Sequence, residues 1–367
     1  KYWTGNHCRE FEKEFAAYVG VAHAVALANG TVALDVALKA LNIGPGDEVV
    51  VTPRTFIASV SCVVNAGARP VFADVCPDSG NLTAASIERV LTPRTRAVIC
   101  VHLAGWPCDM DAIMALAARH DLKVIEDCAQ AHGARYKGRS VGSLGHIGAW
   151  SFCQDKIMTT GGEGGMVTTN DPDLWSAMWS FKDHGKDWNA VYHTAHPPGF
   201  RWVVNSFGTN WRMLEMQGVI GRLQLRWLDD WVAIRTRNAE RILAACAPFA
   251  SLHVPEGWAS DEGSLHAFYK AYVQVRPDRL KPGWDRDRLI TALGELGVPC
   301  FQGSCSEVYL EAAFDDTGWR PPERLPVARS LGETSLMFLV HPTLTHEEVQ
   351  HTCDCITNVF LEATAPA

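Results

Sequence analysis

Between Gly30 and about Thr169, short apolar runs alternate with stretches whose apolar residues recur at helical spacing, a rhythm that predicts βαβ units around a largely parallel sheet. The segment GTVALDVALKALNIG spaces Val32, Leu34, Val36, Leu38 and Leu41 over apolar helical faces and ends at Gly44, so a helix is expected with its N-terminus at Gly30-Thr31. The runs EVVV (48–51), PVFA (70–73), AVICV (97–101) and KVIE (123–126) predict buried strands, with a helix over 109–120 between the last two. GAWSF (148–152) and GMVTT (165–169) extend the sheet. A helical pattern from Leu214 to about Ala245 follows a Trp-rich loop, Trp188 to Trp211, which is long enough to predict a lid, a binding loop or a partner contact. Beyond about Pro255 the order becomes strand (267–275), helix (285–296), strand near 335–340 and helix (345–360). The expected fold class is therefore α/β. A large domain with a mainly parallel sheet covers 1–245, interdomain helix included, and a smaller C-terminal α+β domain covers 246–367.

Composition narrows the partners. The chain has 367 residues, 47% hydrophobic and 20% charged, which suits a globular protein with more than one core. No apolar run approaches the roughly 20 residues that span a bilayer, so no membrane helix is expected. A formal charge of -8, with 33 scattered Lys and Arg, offers no basic field, and no nucleic-acid partner is expected. Of twelve cysteines, Cys62, Cys100, Cys128 and Cys153 lie in apolar runs and read as core thiols. Cys353 with Cys355, and Cys300 with Cys305, lack a second ligand pair, so no metal site is expected. The opening KYWTGNHCREFEKEF has no basic start followed by an apolar stretch, which makes the cytoplasm the expected compartment.

Candidate chemistry gathers at the strand ends. Asp127 follows KVIE and Lys156 follows GAWSF, so both fall beyond the carboxyl ends of strands, where an open α/β sheet places its ligand. An Asp there caps a turn as readily as it serves catalysis, and a lone Lys is usually solvated. Lys156, however, stands between a buried strand and the glycine-rich TTGGEGG, where a long cation has little structural purpose. A pyridoxal phosphate enzyme needs a lysine to form a Schiff base and a carboxylate to keep the pyridine nitrogen protonated, and this pair fits both needs. Asn29-Gly30-Thr31 at a helix start offers N–H groups and a hydroxyl to a phosphate, and Ser151 is a second donor.

Six blocks then occur in a familiar order: FEKEFAAYVGVAHAVALANGTVALDVALKAL, GPGDEVVVTPRTFIAS, EDCAQAHGA, SFCQDKIMTTGGEGGMVTTND, DHG and GTNWRMLEMQGVIGRLQL. In them the chain resembles, nearly end to end, the DegT/DnrJ/EryC1/StrS sugar aminotransferases of pyridoxal phosphate fold type I. The resemblance implies that Gly30, Thr31 and Ser151 hold the cofactor phosphate, Phe56 stacks on its ring, Asp127 pairs with the ring nitrogen, Gln130 contacts the phenolic oxygen and Lys156 is the Schiff-base lysine. It also implies a homodimer with shared active sites, in which Asn210 reaches the phosphate of the neighbouring subunit, and it places His102 and His184 near the cofactor edge as substrate contacts. The implied reaction moves an amino group from L-glutamate through pyridoxamine phosphate to a keto sugar, most often one linked to a nucleotide. Relatives of the same resemblance include sugar dehydratases, which carry His in place of the active lysine, cyclitol aminotransferases and regulators. This chain keeps Lys156. CFQGSCSEVYLEAAF and GETSLMFLVHPTL depart from the family pattern, where a His-Tyr pair often lies near the sugar.

Overall fold

The structure is a computed structural model, and it describes residues 5–257 and 262–365. The chain begins with α1 (His7–Val19), β1 (His23–Leu27), α2 (Gly30–Ala40), β2 (Glu48–Val51), α3 (Ala58–Asn65), β3 (Arg69–Phe72), α4 (Ala84–Glu88), β4 (Thr95–Val101), α5 (Met110–Arg119) and β5 (Lys123–Asp127). A small hairpin, β6 (Arg135–Tyr136) and β7 (Arg139–Ser140), leads into β8 (Ile147–Ser151), β9 (Gly165–Thr169), α6 (Pro172–Lys182), α7 (Trp188–Tyr192), α8 (Glu215–Leu225) and α9 (Leu228–Cys246). The remainder comprises β10 (Leu252–His253), β11 (Ala271–Val275), α10 (Arg286–Glu295), β12 (Cys300–Phe301), α11 (Pro326–Thr334), β13 (Ser335–Phe338) and α12 (His346–Ala363).

Seven strands form one sheet in the order β1-β9-β8-β5-β4-β2-β3, and only β9 runs against the others. Every residue of β2 and β8 is buried, as expected for strands covered on both faces. Alternate residues face opposite layers. Val49, Val51, Ile99 and Ile125 pack under α2 and α3, while Val50, Val98, Cys100 and Val124 pack with α5 on the other side. The register sets Val101, Asp127 and Ala149 abreast, so the ends of β4, β5 and β8 form one edge. A second sheet, β10-β11-β13-β12, shares a core with α9, α10 and α12. Val308, Tyr309 and Phe314, from the stretch between β12 and α11, return to the first core and pack around Phe72.

Two sequence expectations are corrected. The stretch 214–245 is not one helix: α8 ends before Arg226-Trp227 and α9 starts anew. The halves bury their stripes against different partners. Gly221 of α8 abuts the Phe11 ring of α1, whereas Ala239, Ile242 and Leu243 of α9 pack with the second sheet. The strand expected over 267–275 starts only at Ala271, because Ala267 and Tyr269 donate their N–H groups to Gly105 and Ala104 of the first layer (2.9 and 2.8 Å). In the Trp-rich loop, Trp188 packs with Trp175, Trp179 and Tyr192, while Phe200, Trp202 and Phe207 stay 78%, 85% and 100% exposed. No helix among the described residues is long and apolar enough to cross a membrane.

Candidate active site

A cavity of about 940 Å³ opens at the carboxyl edge of the first sheet, walled on its far side by Tyr269, Lys270, Tyr272 and the 303–305 turn. Its floor is Asp127, the last residue of β5 and almost wholly buried. Ser59 Oγ donates to Asp127 Oδ2 (2.8 Å), and the Ala129 N–H donates to Oδ1 (3.1 Å). Ser59, its proton given to Asp127, accepts from Thr55 (2.8 Å). Burial raises the Asp127 pKa, and these hydrogen bonds only moderate the rise. The carboxylate has no ion-pair partner among the described residues.

Phe56, one residue beyond Thr55, stands 70% exposed on the cavity wall. Opposite it, α2 begins at Gly30 behind the cap Asn29, whose Oδ1 accepts the Val32 N–H (3.1 Å). The helix start lies directly on Ser151, and a Cβ at Gly30 would sit 2.5 Å from that of Ser151. Only glycine permits this approach, which brings the free N–H groups of a helix N-terminus beside a hydroxyl. Gln130 lines the same space, with its Oε1 accepting the Ala104 N–H (2.8 Å).

Lys156 Nζ reaches the cavity wall, 3.1 Å from Asp155 Oδ1 and 5.6 Å from the centre of the Tyr269 ring. The Tyr269 hydroxyl donates to Asp155 Oδ2 (2.5 Å). Burial works to raise the Asp155 pKa, but Tyr269 and Lys156 outweigh it and hold the carboxyl below its usual range. Thr55, Ser59, Asp155, Tyr269 and Lys270 are thus cavity or cavity-supporting residues that sequence reasoning did not single out. Asp155 could have been found as the acid immediately before Lys156. Tyr269 and Lys270 carried no signal, because only the pairing of 267–269 with 104–105 turns them inward.

The structure brings together Gly30, Thr31, Phe56, Asp127, Gln130, Ser151 and Lys156. It does not bring His102. That histidine is fully buried on the opposite face, with Nδ1 accepting the Cys108 N–H (3.0 Å) and Nε2 bonded to Glu126 (2.9 Å). Its placement near the substrate is corrected by the pleat: Val101 and Asp127 share the cavity face, so the adjacent His102 and Glu126 turn away together. His102, Glu126 and Cys128 bring ligand-type atoms within 4.8 Å of one another, and the first two already hydrogen-bond through theirs. His184 and Asn210 are exposed, on neighbouring turns joined at Asp183 and Asn210, and neither lines the cavity of its own chain. Cys153, expected in the core, is half-buried on the cavity wall beside the Ser151 turn.

The model of the DegT/DnrJ/EryC1/StrS aminotransferase family matches residues 1–357. The chain belongs to that family. Over 364 residues it is 39% identical to the GDP-perosamine synthase of Caulobacter vibrioides, covering 98% of this chain and 91% of the relative. It is also 39% identical, over 348 residues, to a UDP-N-acetyl-3-dehydro-alpha-D-glucosamine 3-aminotransferase of Acidithiobacillus ferrooxidans, covering 94% and 86%. Among solved structures it is similar to an aminotransferase from Psychrobacter cryohalolentis at a TM-score of 0.96 and 64% identity, covering 98% and 93%. Family membership makes it an enzyme of the transaminase class.

The buried pair behind the site has a consequence for stability. Glu126 also accepts the N–H groups of Gly142, Leu144 and Gly145 (2.8, 2.8 and 2.6 Å). Burial pushes its pKa up, but the bonds from His102 and the backbone prevail and hold it below the ordinary carboxylate value. A depressed folded pKa contributes stability above the unfolded value, about 4.3 for Glu, and that contribution is lost as pH falls through the folded value. Thermal melts from neutral pH into acid should therefore show Glu126→Gln destabilised by about 3 kcal/mol near neutrality. The variant's further loss below about pH 4.3 should be shallower than that of wild type. Parallel acid profiles for the two proteins would contradict the ionised, hydrogen-bonded state of Glu126.

Proposed function

We propose that this aminotransferase uses pyridoxal 5'-phosphate to move an amino group from L-glutamate to a keto sugar carried on a nucleoside diphosphate, for amino-sugar biosynthesis, and works as a homodimer with shared active sites. The observation that carries the reading is Asp127, a buried carboxylate with two hydrogen bonds and no cation, at the floor of a cavity that Lys156 also lines. A carboxylate in that setting is costly until a positive group meets it, and a protonated ring nitrogen is such a group. The tight Gly30–Ser151 approach and the exposed Phe56 face suit a phosphate at one end and a flat ring along the wall. The residues present therefore fit this cofactor.

In this reading Gly30, Thr31 and Ser151 hold the phosphate, Phe56 stacks on the ring, Gln130 contacts the phenolic oxygen, and Asp127 faces the ring nitrogen. Lys156 attaches through Nζ, and Asn210 reaches across to the phosphate site of a second subunit. When bound, the cofactor supplies the carbonyl that takes up nitrogen and the electron-withdrawing ring that acidifies the neighbouring C–H. Asp127 keeps that ring positively charged, with Ser59 and Thr55 fixing the direction of its oxygens. Lys156 Nζ, once free, would take the proton from the donor's amine-bearing carbon and deliver it to the cofactor carbon C4′ on the other side of the nitrogen, its amine steadied by Asp155 and the Tyr269 ring. A nucleotide-linked keto sugar is supported by the relatives, two of which are named for GDP- and UDP-linked sugars. A division near residue 245, at the end of α9, separates the cofactor-binding part from the smaller part that closes the cavity.

Replacing Lys156 by Ala should abolish the visible absorption of lysine-bound cofactor and lower turnover by roughly 1,000-fold or more. Wild-type-like transamination in that variant would overturn the assignment. Asp127→Asn should retain some cofactor yet lose roughly 100- to 1,000-fold in kcat, because a neutral amide cannot hold the ring cation. Steady-state assays with a panel of keto-sugar nucleotides read both effects, and unchanged kinetics for Asp127→Asn would assign the ring nitrogen to another group.

A further inference from the structure

Arg54 is a buried cation with no carboxylate partner among the described residues. Only 3% exposed, it donates through Nη1 to Ser306 Oγ (3.0 Å) and through Nη2 to Ser335 Oγ (2.9 Å), and it lies 5.4 Å from the centre of the Tyr272 ring. Its Nε has no hydrogen-bond partner among the described residues. Burial lowers the guanidinium pKa, Tyr272 offsets this only in part, and no carboxylate among the described residues acts on it. A buried charge in that state is costly unless a counter-ion completes it.

Beside Arg54 lies a pocket of about 40 Å³, separated from the large cavity by Tyr272, which lines both. A single water needs roughly 10–15 Å³ measured this way, so the space suits about three waters or one small anion. Gly80 packs closely on the guanidinium stem, since a Cβ there would stand 3.0 Å from Leu103 Cδ2 and 3.3 Å from Arg54 Nε. His266 lines the same pocket and stacks on Phe268 at 3.9 Å. Its Nδ1 accepts the Phe268 N–H (2.8 Å), which leaves the ring proton on Nε2 as a second donor. Burial holds this imidazole down to about 3, so it stays neutral near pH 7. Asp78 is the only carboxylate on the lining among the described residues, and it is bonded to His253 (2.7 Å).

We propose that this pocket binds a small monovalent anion, a halide or a formate-sized carboxylate, held by Arg54 and His266. The site is independent of the cofactor assignment. Its occupant braces the segment from Arg54 to Ser59 against the second sheet, and that segment carries both Phe56 and the hydroxyl that fixes Asp127.

The test uses the full chain. Crystals soaked in sodium bromide should show an anomalous peak against Arg54 Nε. In solution the melting temperature should rise saturably with bromide or formate, relative to gluconate at equal ionic strength, because gluconate is too large to enter. Arg54→Gln should erase that difference, and His266→Phe should weaken the apparent bromide affinity roughly tenfold. Water alone in the pocket at saturating bromide would overturn the proposal. So would a peak without a melting response, the mark of an adventitious ion only. If Arg54→Gln does not fold, the wild-type soak and melts together with His266→Phe decide the matter by the same outcomes.

Discussion

The carboxylate of Asp127 is the constraint around which the site is organised. Desolvating an acid at the end of a buried strand is unfavourable, and the fold answers with two directed hydrogen bonds rather than with a cation of its own. Holding those bonds requires Ser59 at the start of α3, Thr55 behind it, and β4 and β8 on either side of β5 in one register. The same edge presents the α2 N-terminus to Ser151, and Lys156 enters from the turn that follows β8. A positive group set against Asp127 would complete this arrangement, and the cofactor ring proposed above is such a group.

Two consecutive acids divide the work by strand pleat alone. Asp127 faces the cavity with a raised pKa, whereas Glu126 faces the opposite layer with a lowered one. The difference is in their donors: Glu126 meets three backbone N–H groups and His102, a set that stabilises its charge fully. Glu126 ties the turn at 142–145 to β5, and Asp127 remains available for chemistry.

Much of this was legible in the sequence because it is local. Apolar runs located β2, β4, β5, β8 and β9 to within a residue or two, and the positions of Asp127 and Lys156 just beyond strands pointed to one edge. What escaped was set by distant partners. The helical periodicity across 214–245 holds no mark of the break, because α1 and the second sheet take up the two stripes separately. Residues 267–269 look like the start of β11 yet pair with Ala104 and Gly105, and that pairing delivers Tyr269 to Asp155. His102 was expected near the cofactor edge, yet it lies buried against Glu126 on the other face, because the register of β4 against β5 is a tertiary fact. His184, expected beside the cofactor, lies outside its own cavity on an exposed turn bridged to the end of the Trp-rich loop at Asp183 and Asn210.

The central claim is that Asp127 holds a ring cation, and the protonation of that ring can be observed directly. Reconstituting the apoenzyme with pyridoxal phosphate labelled with nitrogen-15 in the ring and recording its NMR shift across neutral pH reads the state of that nitrogen. Wild type should show a protonated nitrogen throughout, and Asp127→Asn should lose the proton in the same range. An unprotonated ring nitrogen in the wild-type enzyme would contradict the account.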